Sequence, residues 1–481
     1  MGSYMSAQLH PTLTDVIDAA VIAQQPWAAA PATGRRDSLG AVADALDAAA
    51  DELIPIAARE TRLPEGRLTG ELKRTTFQLR LLGAEIVRGD CFDARLDSAD
   101  PDWPMGAPRP DMRRVKIPVG PVLVFAASNF PFAFSVAGGD TASALAAGCS
   151  VVVKAHEGHP ELSRRTADLV TAALRDSGAP DGVFALIEGR DAGVSALQHP
   201  AIAAGAFTGS IAGGRFLFDV AARRDVPIPF YGELGSVNPV FVTPEAAAAL
   251  RDDVISGFVA SFTLGSGQFC TKPGLLITPS GSGLADDLAR AQLPPAAPML
   301  NDAIRDGYRS RLRELLDNKQ ISLLAGSGEA AGDAEAPVLL RADADAVINS
   351  PALREECFGP ASLVVEYTDP AQLASLAQAL EGQLTATIWG TDDSDVADLV
   401  TLLSGRAGRL LWNQWPTGVS VTHAQQHGGP YPATTAAGTT SVGTAAIERF
   451  LRPVAYQNFP QHLLPQALRD DNPLQVRQRR D

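Results

Sequence analysis

Between residues 121 and 224 the chain alternates short apolar runs with helix-like stretches, and this alternation constrains the fold more than any other feature. Residues 121–127 (PVLVFAA) and 150–154 (SVVVK) are short, continuous and apolar, and read as buried strands. Between them, residues 140–147 open with a helix N-cap at Asp140 and stop at Gly148. A helix over 161–176 follows, ended by Ser177-Gly178-Ala179-Pro180, then a strand over 183–188 and a short helix from Asp191. A strand over 204–208 and a helix over 210–224 complete the series. Strands separated by helices at this spacing do not pair as hairpins. They form βαβ units and a doubly wound parallel sheet, so the expected class is α/β.

The flanking regions differ in pattern. The first hundred residues read as helices; residues 38–56 place Leu39, Val42, Leu46, Ala49 and Leu53 near a 3.6-residue period. The proline-rich stretch 97–110 suits neither a helix interior nor a central strand and reads as a crossing segment. A second α/β region over about 234–435 has helices expected near 245–258 and 302–317, and strands near 363–367 and 410–412. The tail beyond Ile447 is rich in Pro, Gln and Arg, with Val454-Ala455-Tyr456 as an extended run.

Charge and cysteines narrow the function classes. Forty Lys+Arg against 55 Asp+Glu give a net charge of −15, which repels phosphate backbones and argues against nucleic acid. No run of 18 apolar residues suggests a membrane span. Cys91, Cys149, Cys270 and Cys357 lack metal-site spacing, so no metal is expected, and they are too few for a disulfide scaffold. A reducing, cytoplasmic setting is the expectation. No Lys or Arg precedes Arg35, which makes the start a poor signal peptide, and Met1-Gly2-Ser3-Tyr4-Met5 reads as a cloning remnant.

Several residues can carry chemistry, and each also has a plain structural reading. Cys270, in Leu264-Gly265-Ser266-Gly267-Gln268-Phe269-Cys270, is either a buried small hydrophobe or a thiol displayed on a glycine loop after a helix. Glu233, in Tyr231-Gly232-Glu233-Leu234-Gly235-Ser236, is a solvated carboxylate or a general base at a strand's carboxyl end. Gly209-Ser210 follows a strand and opens a helix; it lacks the GxGxxG fingerprint, yet such an N-terminus can hold one phosphate. Asn129, before Phe130-Pro131, is a turn residue or a donor to a developing oxyanion. Lys154 ends an apolar strand and either meets cofactor hydroxyls or reaches solvent, and Glu356 alone reads as a polar turn.

Taken in order, Asn129, Lys154, Gly209-Ser210, Glu233-Leu234-Gly235, Cys270 and Glu356-x-Phe358-Gly359-Pro360 resemble the aldehyde dehydrogenase superfamily over about residues 15–465. Within it, longer matches are similar to the 2-ketoglutaric semialdehyde (2,5-dioxopentanoate) dehydrogenases. These are Ala127-Ser128-Asn129-Phe130-Pro131, the run from Val136 to Gly148, Gly428-Gly429-Pro430-Tyr431-Pro432-Ala433-Thr434-Thr435, and Arg452-Pro453 with Tyr456-Gln457-Asn458-Phe459-Pro460.

The resemblance implies a Rossmann-like NAD(P)-binding domain (1–98 and 119–234), an α/β catalytic domain (235–435) and a small oligomerisation flap (99–118 and 436–481) of a homodimer or homotetramer. It implies Cys270 as nucleophile, Glu233 as the base that activates water, and Asn129 with the Cys270 N–H as oxyanion donors. Lys154, Glu157 and Glu356 would meet ribose hydroxyls, Gly209-Ser210 the pyrophosphate, and Phe358 the nicotinamide, while Ser128, Phe130 and Phe134 would wall the substrate tunnel. The substrate implied is a short semialdehyde carrying an α-keto acid; the alternatives are another aliphatic or aromatic aldehyde, or a catalytically silent binding relative. Three departures stand out. Ser128 sits where many relatives carry Trp, Ser236 replaces the second Gly of Glu-Leu-Gly-Gly, and Glu157 is acidic where semialdehyde relatives are small or neutral. A carboxylate there favours NAD over NADP, with Lys154 and Arg164 or Arg165 offsetting part of the repulsion.

Overall fold

The computed structural model describes residues 12–327 and 332–480; the opening five residues read as a cloning remnant lie outside these. Four helices come first: α1 (Leu13–Ala29), α2 (Ala32–Ala48), α3 (Ala50–Thr61) and α4 (Glu65–Arg88). Thr12 and Asp15 close a capping box on α1. The helix expected over 38–56 is two helices, divided at Ala49, whose N–H still bonds Ala45 O while its ψ of 10° leaves the helical region. Neither Gly nor Pro marks that break, which is why the apolar period ran through it. Leu39, Val42, Leu46 and Leu53 all remain buried.

Two strands, β1 (Ala94–Asp97) and β2 (Met112–Pro118), flank the proline-rich segment, which is pinned by a bridge between Asp100 and Arg109. There follow β3 (Val122–Phe125), α5 (Gly139–Ala147), β4 (Val151–Lys154), α6 (Pro160–Asp176), β5 (Phe184–Ile187), α7 (Arg190–Gln198), β6 (Ala204–Thr208), α8 (Ile211–Ala222) and β7 (Phe230–Glu233). The N-cap of α5 is Gly138, not Asp140 as expected; Asp140 lies inside the first turn because its carboxylate pairs with the Arg449 guanidinium.

The five strands form a wholly parallel sheet in the order β5-β4-β3-β6-β7, with Val122 opposite both Val151 and Ala204. Successive side chains leave by opposite faces. Val122, Val124, Val151 and Val153 join the core under α2, α4, α5 and α6, whereas Leu123 and Val152 pack with Ile17, Leu197 and Leu217. The chain fills β3, β4 and β5 outward in one direction, then returns to place β6 and β7 on the other side. The crevice at the carboxyl ends of β3 and β6 is therefore the switch point where α/β sheets receive ligands.

A seven-stranded sheet follows in the order Ser322–Ala325, Val338–Asp343, Ala361–Tyr367, Leu275–Pro279, Val240–Val242, Gln383–Trp389 and Ala407–Trp412, parallel except for the first. The helix expected over 245–258 is split into Pro244–Ala249 and Arg251–Thr263 at Leu250, where φ is −119° and ψ 24°. A four-stranded sheet joins Leu451–Gln457, β2, β1 and Gln478–Arg480. No helix among the described residues is long and apolar enough to cross a membrane.

Candidate active site

The helix Arg251–Thr263 hands the chain to a tight turn in which Gly265, Ser266 and Gly267 have φ of 56°, 56° and 66°. At Gly267 glycine is required twice over: its backbone is left-handed, and a Cβ would lie 2.1 Å from the carbonyl oxygen of Gly359. The cysteine loop and the Glu356-x-Phe358-Gly359 loop are thus packed backbone to backbone. On the other side, the Asn238 amide donates to the carbonyls of Cys270 (2.8 Å) and Lys272 (3.0 Å). Ser236, the departure from Glu-Leu-Gly-Gly, belongs to this support. Its Oγ lies 2.9 Å from both Asn238 Oδ1 and Gln383 Oε1 and accepts from the Leu384 N–H.

Cys270 keeps partial exposure as a residue while its Sγ is enclosed, 3.6 Å from His427 Nε2. Burial pushes the thiol well above its ordinary range, and the charges of Glu233 and Glu356 add to the shift; Arg409 and Arg74 pull the other way.

Glu233, the last residue of β7, is 3% exposed. Its Oε1 lies 3.0 Å from the same His427 Nε2, and its Oε2 accepts from the Ser441 hydroxyl. Burial alone would raise this carboxyl, but His427, Ser441 and Arg449 together hold it below the ordinary glutamate value. Donor atoms of Glu233, Cys270 and His427 all lie within 4.8 Å of one another.

His427 and Ser441 were not singled out in the sequence. Thr440 Oγ1 accepts the His427 N–H (2.9 Å) and the Ser441 N–H returns to His427 O (2.9 Å), so the two arrive on one folded loop. The available signal was position: His427 immediately precedes the Gly428–Thr435 match. That match packs against β7 through Leu234 N–H to Ala433 O (2.8 Å), and a Cβ on Gly429 would fall 2.1 Å from Gln383 O.

From the end of β3 comes the turn carrying Asn129, whose Nδ2 donates to Gln268 O (3.2 Å), two residues before the nucleophile candidate. The backbone N–H groups of Phe132 and Ala133 donate to Glu71 Oε1 at 2.8 and 2.9 Å, fixing the turn to α4. Phe130 stands edge-on to Phe134 (5.4 Å between centroids) and to Phe269 (5.1 Å), with half-buried Ser128 at the start of the turn. The structure therefore gathers Ser128, Asn129, Phe130 and Phe134 beside the loop of Cys270.

A model of the aldehyde dehydrogenase family matches residues 5–453. The chain belongs to this family. It is 47% identical over 472 residues to alpha-ketoglutaric semialdehyde dehydrogenase 2 of Azospirillum brasilense, covering 95% of this chain and 88% of that protein. It is 46% identical over 454 residues to alpha-ketoglutaric semialdehyde dehydrogenase of Acinetobacter baylyi, covering 92% and 85%. Among solved structures, the NAD-dependent aldehyde dehydrogenase of Sinorhizobium meliloti superposes with a TM-score of 0.77 at 25% identity, over 93% of this chain and 87% of that one.

A family member needs a place for its nicotinamide cofactor, and the crevice between β3 and β6 has the parts. Ser210 caps α8, its Oγ accepting from Gly213 N–H (3.2 Å), so the helix's positive end opens at the sheet's carboxyl edge. A Cβ on Gly209 would strike the Phe207 ring at 2.5 Å, keeping that approach free of side chains. A Cβ on Gly235 would meet Glu356 Oε2 at 2.5 Å and Ile211 at 3.3 Å, so Glu356 and the start of α8 flank one glycine. Burial pushes the Glu356 carboxyl up to about 7 despite Lys272 and the Ser236 backbone. Half-buried Phe358 follows two residues on.

Lys154, 7% exposed at the end of β4, pairs with Glu157. Arg164 and Arg165, the arginines expected to help, are both paired with carboxylates. Arg164 is engaged by Glu188 (2.9 Å), and Arg165 makes two hydrogen bonds to Glu52 (2.6 and 2.9 Å), because both project from α6 toward other carboxylates.

Proposed function

We propose that the chain oxidises 2-ketoglutaric semialdehyde (2,5-dioxopentanoate) to 2-oxoglutarate, with NAD or NADP as the hydride acceptor and NAD preferred. The observation that carries this is the near-full-length identity to two proteins named for that substrate. The Cys270–His427–Glu233 chain supplies matching chemistry.

In this reading Cys270 Sγ bonds to the aldehyde carbon while its proton moves to His427 Nε2, and the imidazolium that results pairs with Glu233 Oε1 3.0 Å away. Asn129 has one amide proton committed to Gln268 O; the second, with the Cys270 N–H, meets the oxyanion that forms. The nicotinamide that Lys154, Ser210 and Glu356 would hold would supply the hydride acceptor, and Cys270 Sγ keeps the acyl group as a thioester. Glu233, held charged by its neighbours, takes a proton from water as the water oxygen attacks the thioester. The C–S bond breaks, Sγ takes its proton back from His427, and the acid and the proton held by Glu233 leave.

The test is kcat/KM over 2,5-dioxopentanoate, pentanal, decanal and benzaldehyde with both cofactors. 2,5-Dioxopentanoate should lead pentanal by at least about tenfold, a gap of about 1.4 kcal/mol. A lead for decanal would remove the substrate and leave the family.

Cofactor choice rests on Glu157. Its carboxylate would face the added phosphate of NADP, with Lys154 the cation paired to it while Arg164 and Arg165 pair with Glu188 and Glu52. Unit charges 4 Å apart at an effective dielectric of 20 interact by about 4 kcal/mol, and exposure of Glu157 screens most of that. Glu157→Ser should therefore shift the NAD/NADP ratio of kcat/KM toward NADP by about tenfold. An unchanged ratio would mean that the carboxylate does not meet the ribose.

For assembly, we infer a homodimer or homotetramer: the strand Leu451–Gln457 is an edge of the four-stranded sheet, which a second copy can extend. Four free cysteines suit a reducing, cytoplasmic setting.

A further inference from the structure

The geometry points to Arg74, with Arg67 beside it, as the site that takes the carboxylate of the substrate. This rests on the proposed oxidation of an anionic semialdehyde. Helix α4 carries Arg67, Glu71 and Arg74 at i, i+4 and i+7, hence on one face. That face meets the turn beside Cys270. Arg67 Nη2 donates to Asn129 O (2.6 Å), and its guanidinium lies 4.6 Å from the Phe269 ring centre and 5.1 Å from that of Phe130. The Arg74 guanidinium lies 5.2 Å from the Phe134 ring centre. Both cations thus stand along the aromatic wall next to the nucleophile, and both are electrostatically coupled to the Cys270 thiol.

Neither is fully used by the protein. Among the described residues, Nη1 and Nη2 of Arg74 and Nη1 of Arg67 are sealed from solvent without a hydrogen-bond partner, while Arg74 Nε reaches Val419 O at 3.4 Å. Buried guanidinium nitrogens are found paired, so free ones mark a position for an acceptor. Glu71 is the carboxylate of the same face, but no hydrogen bond joins it to either arginine: its Oε1 accepts from Phe132 and Ala133, and its Oε2 is buried without a partner among the described residues. Arg409, a third cation acting on Cys270, differs. Its terminal nitrogens hold the carbonyls of Gly418 (3.1 Å) and Pro416 (2.8 Å), so it supports that loop.

Shape agrees with charge. The two terminal nitrogens of a guanidinium match the two oxygens of a carboxylate. In a five-carbon semialdehyde bound at Sγ, the carboxylate carbon lies about 5 Å beyond the reacting carbon, from four zigzag C–C bonds of about 1.5 Å. The apolar middle of the chain then passes Phe130 and Phe134, and Arg74 selects acids over neutral aldehydes.

The experiment compares wild type, Arg74→Met, Arg74→Lys and Arg67→Met/Arg74→Met. It measures kcat/KM for 2,5-dioxopentanoate and pentanal, and inhibition of pentanal oxidation by glutarate, with thermal melting to report the fold. Arg74→Met should lower the 2,5-dioxopentanoate/pentanal ratio ten- to a hundredfold, mainly through KM, and weaken glutarate by a similar factor, about the range for one charge-assisted hydrogen bond. Arg74→Lys should restore part of both, because it keeps the charge and loses the fork. If Arg74→Met melts early, Arg74→Lys carries the same comparison, with a smaller drop expected. Ratio and glutarate inhibition both moving less than threefold, in the double variant as well, overturns the site. If wild type prefers pentanal, the substrate reading fails separately, and glutarate decides: binding lost in the variants keeps a carboxylate site, and binding retained removes it.

Discussion

Cys270→Ala should reduce aldehyde oxidation by at least about a thousandfold while leaving cofactor affinity within about twofold of wild type. No other thiol can take its place. Cys91 and Cys149 belong to the first core, and Cys357 is buried in the core of the seven-stranded sheet with its thiol pushed up to about 11. The cofactor contacts proposed for Lys154 and Ser210 do not involve the sulfur, so binding measured by fluorescence titration should persist. The same thiol sets a pH dependence whose sign follows from its neighbours. Burial and the charges of Glu233 and Glu356 disfavour the thiolate, so the cofactor-free enzyme should titrate above the about 8.5 of a free cysteine. Labelling by iodoacetamide should accordingly rise about tenfold per pH unit from pH 7 to 9. A plateau already at pH 7 would show a thiolate stabilised in the resting site, and more than a few per cent residual turnover in Cys270→Ala would remove it as nucleophile.

The sheet of five strands was legible because each strand announces itself locally: Val151-Val152-Val153 has no other stable use, and Gly148 and Gly178 stop the helices around it. Helix breaks at Ala49 and Leu250 were not legible, since each is a small dihedral change decided by packing. The catalytic candidates divide in the same way. Cys270 and Glu233 carry local glycine signatures that a loop at a strand or helix end demands. His427 has none: its contact with Cys270 spans 157 residues and depends on the fold of the loop that also delivers Ser441. Arg67 and Arg74 share a helix face by simple periodicity, yet nothing in the sequence distinguishes them from solvated arginines. Only the packing of α4 against the Asn129 turn leaves three of their nitrogens buried and, among the described residues, unpartnered.

Glu233→Gln should spare the first turnover and slow the steady state by about a hundredfold or more, because a carboxamide cannot take a proton from water. Rapid mixing should then show a burst near one NAD(P)H per active site, and mass spectrometry of the quenched enzyme should find the acyl group on Cys270. His427→Asn should give the complementary result. His427 Nε2 stands between Sγ and the Glu233 carboxylate, so its loss should slow the burst itself, while any thioester that forms still meets an intact Glu233. The two variants thus separate attack from hydrolysis within one cluster of three side chains. Charge adds a second readout. Glu233 is one of the groups that hold the thiol up, so removing its charge should let Cys270 ionise at lower pH and speed iodoacetamide labelling of Glu233→Gln at pH 8 relative to wild type. A burst that collapses with turnover, together with slower labelling, would place Glu233 in activation of the thiol instead of activation of water.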